Sequence, residues 1–312
     1  MPKTILSYGE TLWDLLPSGP VLGGAPFNFA YRVNCVGDCG LIVTRLGRDD
    51  LGEKAHRRIV ELGMETRFVQ WDDDATTGTV EVDLSDTNNP DFTIIPGVAY
   101  DRIELTDDVL GAAAEADCVC FGTLIQRAET SRRTLYALLE RAESPVKLLD
   151  INLRKDCFSG QTVRASLEKA DVLKLNDDEA RRLDDMLDLG TTSVIGFAEA
   201  IIERYDLTHC VVTFGKRGAY ATDARDERAY VPGYRVDLVD SCGSGDAFTA
   251  GFVHGLLRGS PLNECCRLGN ALGAIVATHD GATADVTPDE IHAFLATDHE
   301  RVAEPELEHL RD

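Results

Sequence analysis

The sequence predicts an α/β fold of three layers, a mostly parallel sheet flanked by helices, with a small β-sheet beside it. Short apolar runs alternate with stretches of helical spacing along most of the 312 residues, the pattern of parallel strands buried between helices. The length suits one large domain, and a hydrophobic content of 44% is ordinary for a packed core. One pair of segments, 77–84 and 92–95, instead alternates polar with apolar residues, as strands exposed on one face do.

Residues 4–8, Thr-Ile-Leu-Ser-Tyr, read as a first strand. That run is too short and too soon interrupted for a signal peptide, so a cytoplasmic location is expected. Residues 11–16 alternate in part before a Pro-Ser-Gly-Pro turn, and Gly23-Gly24 precede a helix to about Val36. A strand over 41–44 and a helix over 50–63 follow. The segments 77–84 and 92–95 form a hairpin around Asp-Thr-Asn-Asn-Pro, read either as a lid over a site or as a plain edge hairpin. Short apolar strands come next at 118–121, 146–151, 172–175, 210–214 and 219–222. After 246, Phe248 and Phe252 fall four apart, as do Val253 and Leu257, which places each pair on one helical face. The acidic tail from 297 to 312 is expected to fray or to cap the surface.

Acids number 54 against 31 basic residues, for a net charge of −23. That balance argues against nucleic acid and anionic membrane as partners. No apolar run approaches the ~18 residues of a membrane span. The nine cysteines are odd in number and show no C-x-x-C spacing, so reduced core thiols are expected rather than disulfides or a zinc site.

The chemistry concentrates in Asp240-Ser241-Cys242-Gly243-Ser244-Gly245-Asp246, just where the long apolar helix begins. A turn of this kind points several backbone N–H groups at one spot, and the helix dipole adds about half a positive charge there. A phosphoryl group suits such a spot, and Asp246 stands where it could take a proton from an attacking hydroxyl. The same residues also read as a glycine-rich loop with a capping aspartate. Gly215-Lys216 is followed by Arg217, so there is no P-loop, and no G-x-G-x-x-G follows the first strand.

The 240–246 stretch resembles the D-T-x-G-x-G-D signature of ribokinase-like (PfkB-type) sugar kinases, with Ser241 in the threonine place. The resemblance implies that Gly243, Ser244 and Gly245 form the anion hole and that Asp246 is the catalytic base. Gly9-Glu10-Thr11-Leu12-Trp13-Asp14 and Gly23-Gly24-Ala25-Pro26-Phe27-Asn28 resemble the N-terminal half of bacterial fructokinases, which implies sugar binding by Asp14, Gly24 and Asn28. Asp150-Ile151-Asn152-Leu153-Arg154 resembles a D-x-N-x-R strand end, with Arg154 near the phosphate. Asn176-Asp177-Asp178-Glu179 resembles N-x-x-E, which places Asn176 at the nucleotide and Glu179 on Mg²⁺ through water. An N-cap asparagine with a capping-box glutamate explains the same spacing. Thr213, Gly215 and Gly218 resemble the family's T-x-G-x-x-G strand end, which implies contact with ATP, and Asn270 falls where the family often places a nucleotide contact. Asp240 is the candidate ligand of an activating monovalent cation such as K⁺. Ser244 stands for the commoner alanine, and Ile151 for proline.

The family resemblance runs from Gly9 to about Gly281. It implies a ribokinase-like domain over 1–312 with a β lid from about 10–23 and 77–100, ATP and Mg²⁺ as cofactors, a sugar acceptor with fructose foremost, and a homodimer. Rival readings are a kinase of the same build for ribose, 2-keto-3-deoxygluconate or a nucleoside, and a non-catalytic sugar- or nucleotide-binding protein.

Overall fold

The computed structural model describes all residues except 17–18, 84–90, 143–145, 303 and 312. The chain opens with β1 (Thr4–Tyr8), β2 (Leu12–Leu16), β3 (Gly19–Gly23), α1 (Ala25–Cys35), β4 (Cys39–Gly47) and α2 (Asp50–Glu61). Next come β5 (Val69–Asp72), β6 (Gly78–Asp83), β7 (Asp91–Ile94), α3 (Asp107–Glu115), β8 (Cys118–Phe121), α4 (Glu129–Arg141), β9 (Val146–Asp150) and α5 (Gly160–Leu167). The C-terminal part holds β10 (Val172–Asn176), α6 (Asp177–Leu187), α7 (Val194–Tyr205), β11 (His209–Thr213), β12 (Ala219–Asp223) and β13 (Arg228–Val231). Three helices close it, α8 (Ser244–Leu256), α9 (Leu262–Ala277) and α10 (Pro288–Ala296).

Nine strands make the main sheet in the order β13-β12-β11-β10-β9-β8-β1-β4-β5. All pairs from β11 to β5 are parallel, and β12 and β13 add antiparallel at one edge. Strand alternation sends residues to two faces. On β1, Ile5 packs with Phe29 and Val33 of α1, Ala247 and Ala250 of α8 and Leu272 of α9. Leu6 and Tyr8 point the other way, toward Leu135 of α4, Val163 of α5, Leu183 of α6 and Phe197 of α7. Both faces of the central strands are therefore dry, which is why they read as unbroken apolar runs.

A separate four-stranded sheet has the order β3-β2-β6-β7. Its β2 and β6 are parallel, while the β2–β3 and β6–β7 pairs are antiparallel. The expected Asp-Thr-Asn-Asn-Pro turn lies outside the described residues. This small sheet stops at Ile94, short of the expected boundary near 100, and Val98, Ala99 and Tyr100 are buried in the main domain. The strand expected over 41–44 is longer, Cys39–Gly47.

In the tail, Leu307 and Leu310 are buried against the core, so it caps rather than frays. All nine cysteines are free, with Cys39 and Cys242 exposed and the others buried. Among the described residues, no helix is long and apolar enough to cross a membrane.

Candidate active site

The parallel strands end toward one side of the sheet, where open α/β folds gather their ligands. The loop from β13 reaches this side and turns into α8 at Gly243. That residue has φ +74°, and a Cβ there would lie 2.6 Å from the Cβ of Ala282. Both facts demand glycine. The Ser244 amide donates to the Ser241 carbonyl at 3.2 Å, and the Cys242 amide donates to Asp240 Oδ1 at 2.9 Å. Among the described residues, the amides of Gly243, Gly245 and Asp246 have no protein acceptor. They form a hook of free donors at the positive end of α8, where an anion is favoured.

Asp246 stands in the first turn of α8, half-buried. Its Oδ2 accepts a hydrogen bond of 2.9 Å from Nδ2 of Asn28. Burial first, and the Asp150 charge second, push its carboxyl up to about 7, with Asn28, Lys174 and Arg154 working against the rise. The group therefore changes charge close to neutrality, where a general base works best. Asn28 is delivered by α1, which begins sharply at Gly24 with φ +112°. A Cβ on Gly24 would run into the Glu10 carbonyl, so the two segments meet through bare backbone.

Around Asp246 lie more charges. Glu10 is buried, and its carboxyl is pushed up to about 7, chiefly by burial. Burial also raises Asp14 on β2, with the Arg154 guanidinium opposing it. Arg154 is exposed, acts on Glu10, Asp14 and Asp246, and makes no ion pair among the described residues. Glu10, Phe29, Cys120, Thr123, Asp150 and Asn152 share one small pocket. Asn152 has φ +40°, an uncommon conformation for a non-glycine residue, and strain of this kind clusters at functional sites. Asp14, Gly24, Asn28 and Arg154 thus gather with Asp246 on one side of the hook.

The floor of the site is a buried network. Lys174 Nζ lies 3.0 and 3.1 Å from the two oxygens of Asp150. Thr249 and Asn152 also donate to that carboxylate, at 2.9 and 3.1 Å. Beside it, Asn176 caps α6 by accepting from the Glu179 amide, while Glu179 Oε2 accepts from the Asn176 amide and Oε1 from the Leu153 amide. The capping box is real, and both Glu179 oxygens are engaged by main chain. Asp240 is engaged likewise, through the amides of Cys242 and Gly281. Among the described residues there is no cluster of three acidic, histidine or cysteine groups able to hold a metal.

Thr213 ends β11, and its hydroxyl donates to the Leu175 carbonyl at 3.3 Å. Gly215 and Gly218 shape the turn that follows, with φ +57° and +105°. Asn270 on α9 donates to the Val231 carbonyl at 2.9 Å. The same helix approaches the hook at Gly273, where a Cβ would lie 3.0 Å from the Ser244 carbonyl.

Sequence reasoning assigned no role to Lys174, Glu10 or Thr249. A signal was present for the first, since a lysine inside the apolar strand Val-Leu-Lys-Leu-Asn must either be paired or reach a site.

A large, mostly parallel sheet with a small separate sheet frames an amide hook beside a carboxylate, a candidate site for a phosphoryl group. Residues 20–290 match the pfkB family carbohydrate kinase model. The chain belongs to that family, whose members transfer a phosphoryl group to an alcohol acceptor. The fructokinase of Klebsiella pneumoniae is 30% identical over 316 residues, covering 95% of this chain and 100% of the relative. The 2-dehydro-3-deoxygalactonokinase of Haloferax volcanii is 28% identical over 320 residues, covering 95% and 97%. The crystal structure of the Xylella fastidiosa fructokinase with bound ATP superposes with a TM-score of 0.82 at 23% identity, over 95% of this chain and 98% of that one. The fold is ribokinase-like.

Proposed function

We propose that this sugar kinase uses ATP to phosphorylate fructose on its 6-hydroxyl. The observation that carries the reading is Asp246, held by Asn28 beside the free amides of Gly243, Gly245 and Asp246 itself. In the reaction the hydroxyl oxygen bonds to the γ-phosphorus, the bond to the ADP oxygen breaks, and the hydroxyl proton passes to Asp246. The free amides of Gly243, Gly245 and Asp246 stabilise the charge on the phosphoryl oxygens, whereas the Ser244 amide, expected in the anion hole, is taken by the Ser241 carbonyl at 3.2 Å. Arg154, without an ion pair among the described residues, offsets charge on the moving group.

The acceptor side, with Asp14, Gly24 and Asn28, presents the carboxylates Glu10, Asp14 and Asp246 against the single guanidinium of Arg154. Carboxylates accept hydrogen bonds from hydroxyls, and they repel a phosphate or carboxylate on the acceptor. A neutral polyhydroxy sugar fits this charge best. The nucleotide lies along Asn176, Thr213, Gly215, Gly218 and Asn270. The small sheet serves as a lid and as the contact of a homodimer.

When bound, Mg²⁺ would supply charge neutralisation to the phosphates. Glu179 would hold the ion through water. A monovalent cation such as K⁺ is assigned to the Asp240 loop.

ADP release measured across fructose, ribose, 2-keto-3-deoxygluconate and nucleosides, with and without Mg²⁺, tests this reading. Fructose with Mg²⁺ should give the highest kcat/KM, with turnover lost on chelation. A preference for the sugar acid would overturn the acceptor assignment. ADP release with none of them would overturn the reaction.

A further inference from the structure

Beneath the hook lies an ion pair that phosphoryl transfer, as described above, does not use. The register of β9 and β10 sets Lys174 opposite Asp150, and both side chains are buried. A buried pair of this kind is weak evidence for stability, because apolar side chains of similar volume serve a core as well or better. Its position is more telling. A Cβ on Gly245 would lie 3.6 Å from Lys174 Nζ. The Thr249 hydroxyl lies 2.9 Å from both Asp150 Oδ2 and the Gly245 carbonyl. The pair is thus bound to the first turn of α8, against Gly245, the second glycine of the hook.

We propose that Lys174 is a positioning residue for phosphoryl transfer: clamped on Asp150, it fixes the hook through Thr249 and offsets part of the negative charge that Asp246 faces. The proposal rests on Asp246 acting as the base. The groups acting on Asp246 come from every element around it. They are Glu10 after β1, Cys120 on β8, Asp150 on β9 and Arg154 beyond it, Lys174 on β10 and Cys242 in the hook, while α1 contributes the neutral Asn28. Burial works against the Lys174 ammonium, but the facing carboxylates of Asp150, Glu179 and Asp246 outweigh it and hold the amine charged. Without that ammonium, only the Asn28 hydrogen bond and the Arg154 charge oppose Asp150, and the ionised form of Asp246 becomes harder to reach.

The test is the pH dependence of kcat with fructose and MgATP for the wild type, Lys174→Met, Lys174→Arg, Asp150→Asn, the Lys174→Met/Asp150→Asn double variant and Asp246→Asn. Lys174→Met should move the acidic limb upward by about one pH unit and lower kcat at pH 7 about 10-fold. Asp150→Asn should move the limb downward, the double variant should return it toward the wild-type position, and Lys174→Arg should stay near the wild type. A limb that stays in place in the methionine variant, whatever its kcat, overturns the proposal. If that variant fails to fold by circular dichroism, an unmoved limb in Asp150→Asn does the same. Asp246→Asn separates the two levels. Activity within a few fold of the wild type would remove the base itself, whereas an inactive Asp246→Asn beside an unmoved limb removes Lys174 alone.

Discussion

Asp246→Asn is expected to lower kcat with fructose by ~10²–10⁴-fold, the usual contribution of a positioned general base. The asparagine oxygen can still accept the Asn28 bond, which measures 2.9 Å to Asp246 Oδ2 in the native site, so the geometry survives and only proton transfer is lost. Stability should move the opposite way. The folded protein raises this carboxyl to about 7, by burial first and by the Asp150 charge second. Folding therefore disfavours the ionised form. That penalty is absent below the ordinary carboxylate range, grows as the pH rises toward 7 and is complete above it. At pH 8 the asparagine variant should melt at or above the wild-type temperature, and below pH 4 it should show no such gain. Activity within a few fold of the wild type would remove Asp246 from the role of base, and lower stability at pH 8 would contradict the penalty on its ionised form. Catalysis and stability pull apart here because the site keeps a carboxylate where the fold alone would prefer a neutral group.

Arg32→Ala should produce the largest loss of stability. Arg32 is fully buried in α1, one turn beyond Asn28. Its guanidinium donates to the carbonyls of Ala282 at 2.7 Å and Ala284 at 2.8 Å, and lies 5.0 Å from the centre of the Tyr31 ring. Truncation leaves those carbonyls without their donor, at about 1–3 kcal/mol each, and opens a cavity. A fall of about 3 kcal/mol or more in unfolding free energy follows, read as a lower urea midpoint at unchanged slope. Activity should suffer too. Ala282 is the residue against which Gly243 packs, and Gly281 donates to Asp240 at 3.1 Å, so Arg32 holds the loop that braces the hook. A midpoint within experimental error of the wild type would show that the loop does not need the guanidinium.

The sequence made the site legible where backbone conformation forces the residue type. Gly243 at φ +74° and Gly24 at φ +112° are positions where a side chain would be strained as well as crowded, and a local pattern exposes such demands. The first strand was legible because Thr4–Tyr8 is buried on both faces. Other elements were hidden for physical reasons. β3 reads Gly-Pro-Val-Leu-Gly, and those residues alone signal a turn. It is a strand because it lies at the edge of the small sheet, where proline need not donate to a further neighbour. The β5 strand, Val-Gln-Trp-Asp, and β13, Arg-Ala-Tyr-Val, have four residues each and lie at the two edges of the main sheet, too short to show a period. The Lys174–Asp150 pair joins residues 24 apart, and Thr249 reaches Asp150 from 99 residues away. Only the sheet register and the placement of α8 bring them together. In the N-x-x-E segment, spacing left a capping box and a metal contact both open, and the structure shows the capping box in full.

The central claim is that the amides at the start of α8 grasp the phosphoryl group in flight. It is tested most directly by following the ¹H–¹⁵N resonances of Gly243, Gly245 and Asp246 while ADP, aluminium fluoride, Mg²⁺ and fructose are added. The account predicts downfield amide proton shifts at these residues that need the fluoride and are larger than those from ADP alone. Unmoved resonances at all three, with the nucleotide demonstrably bound, would contradict it.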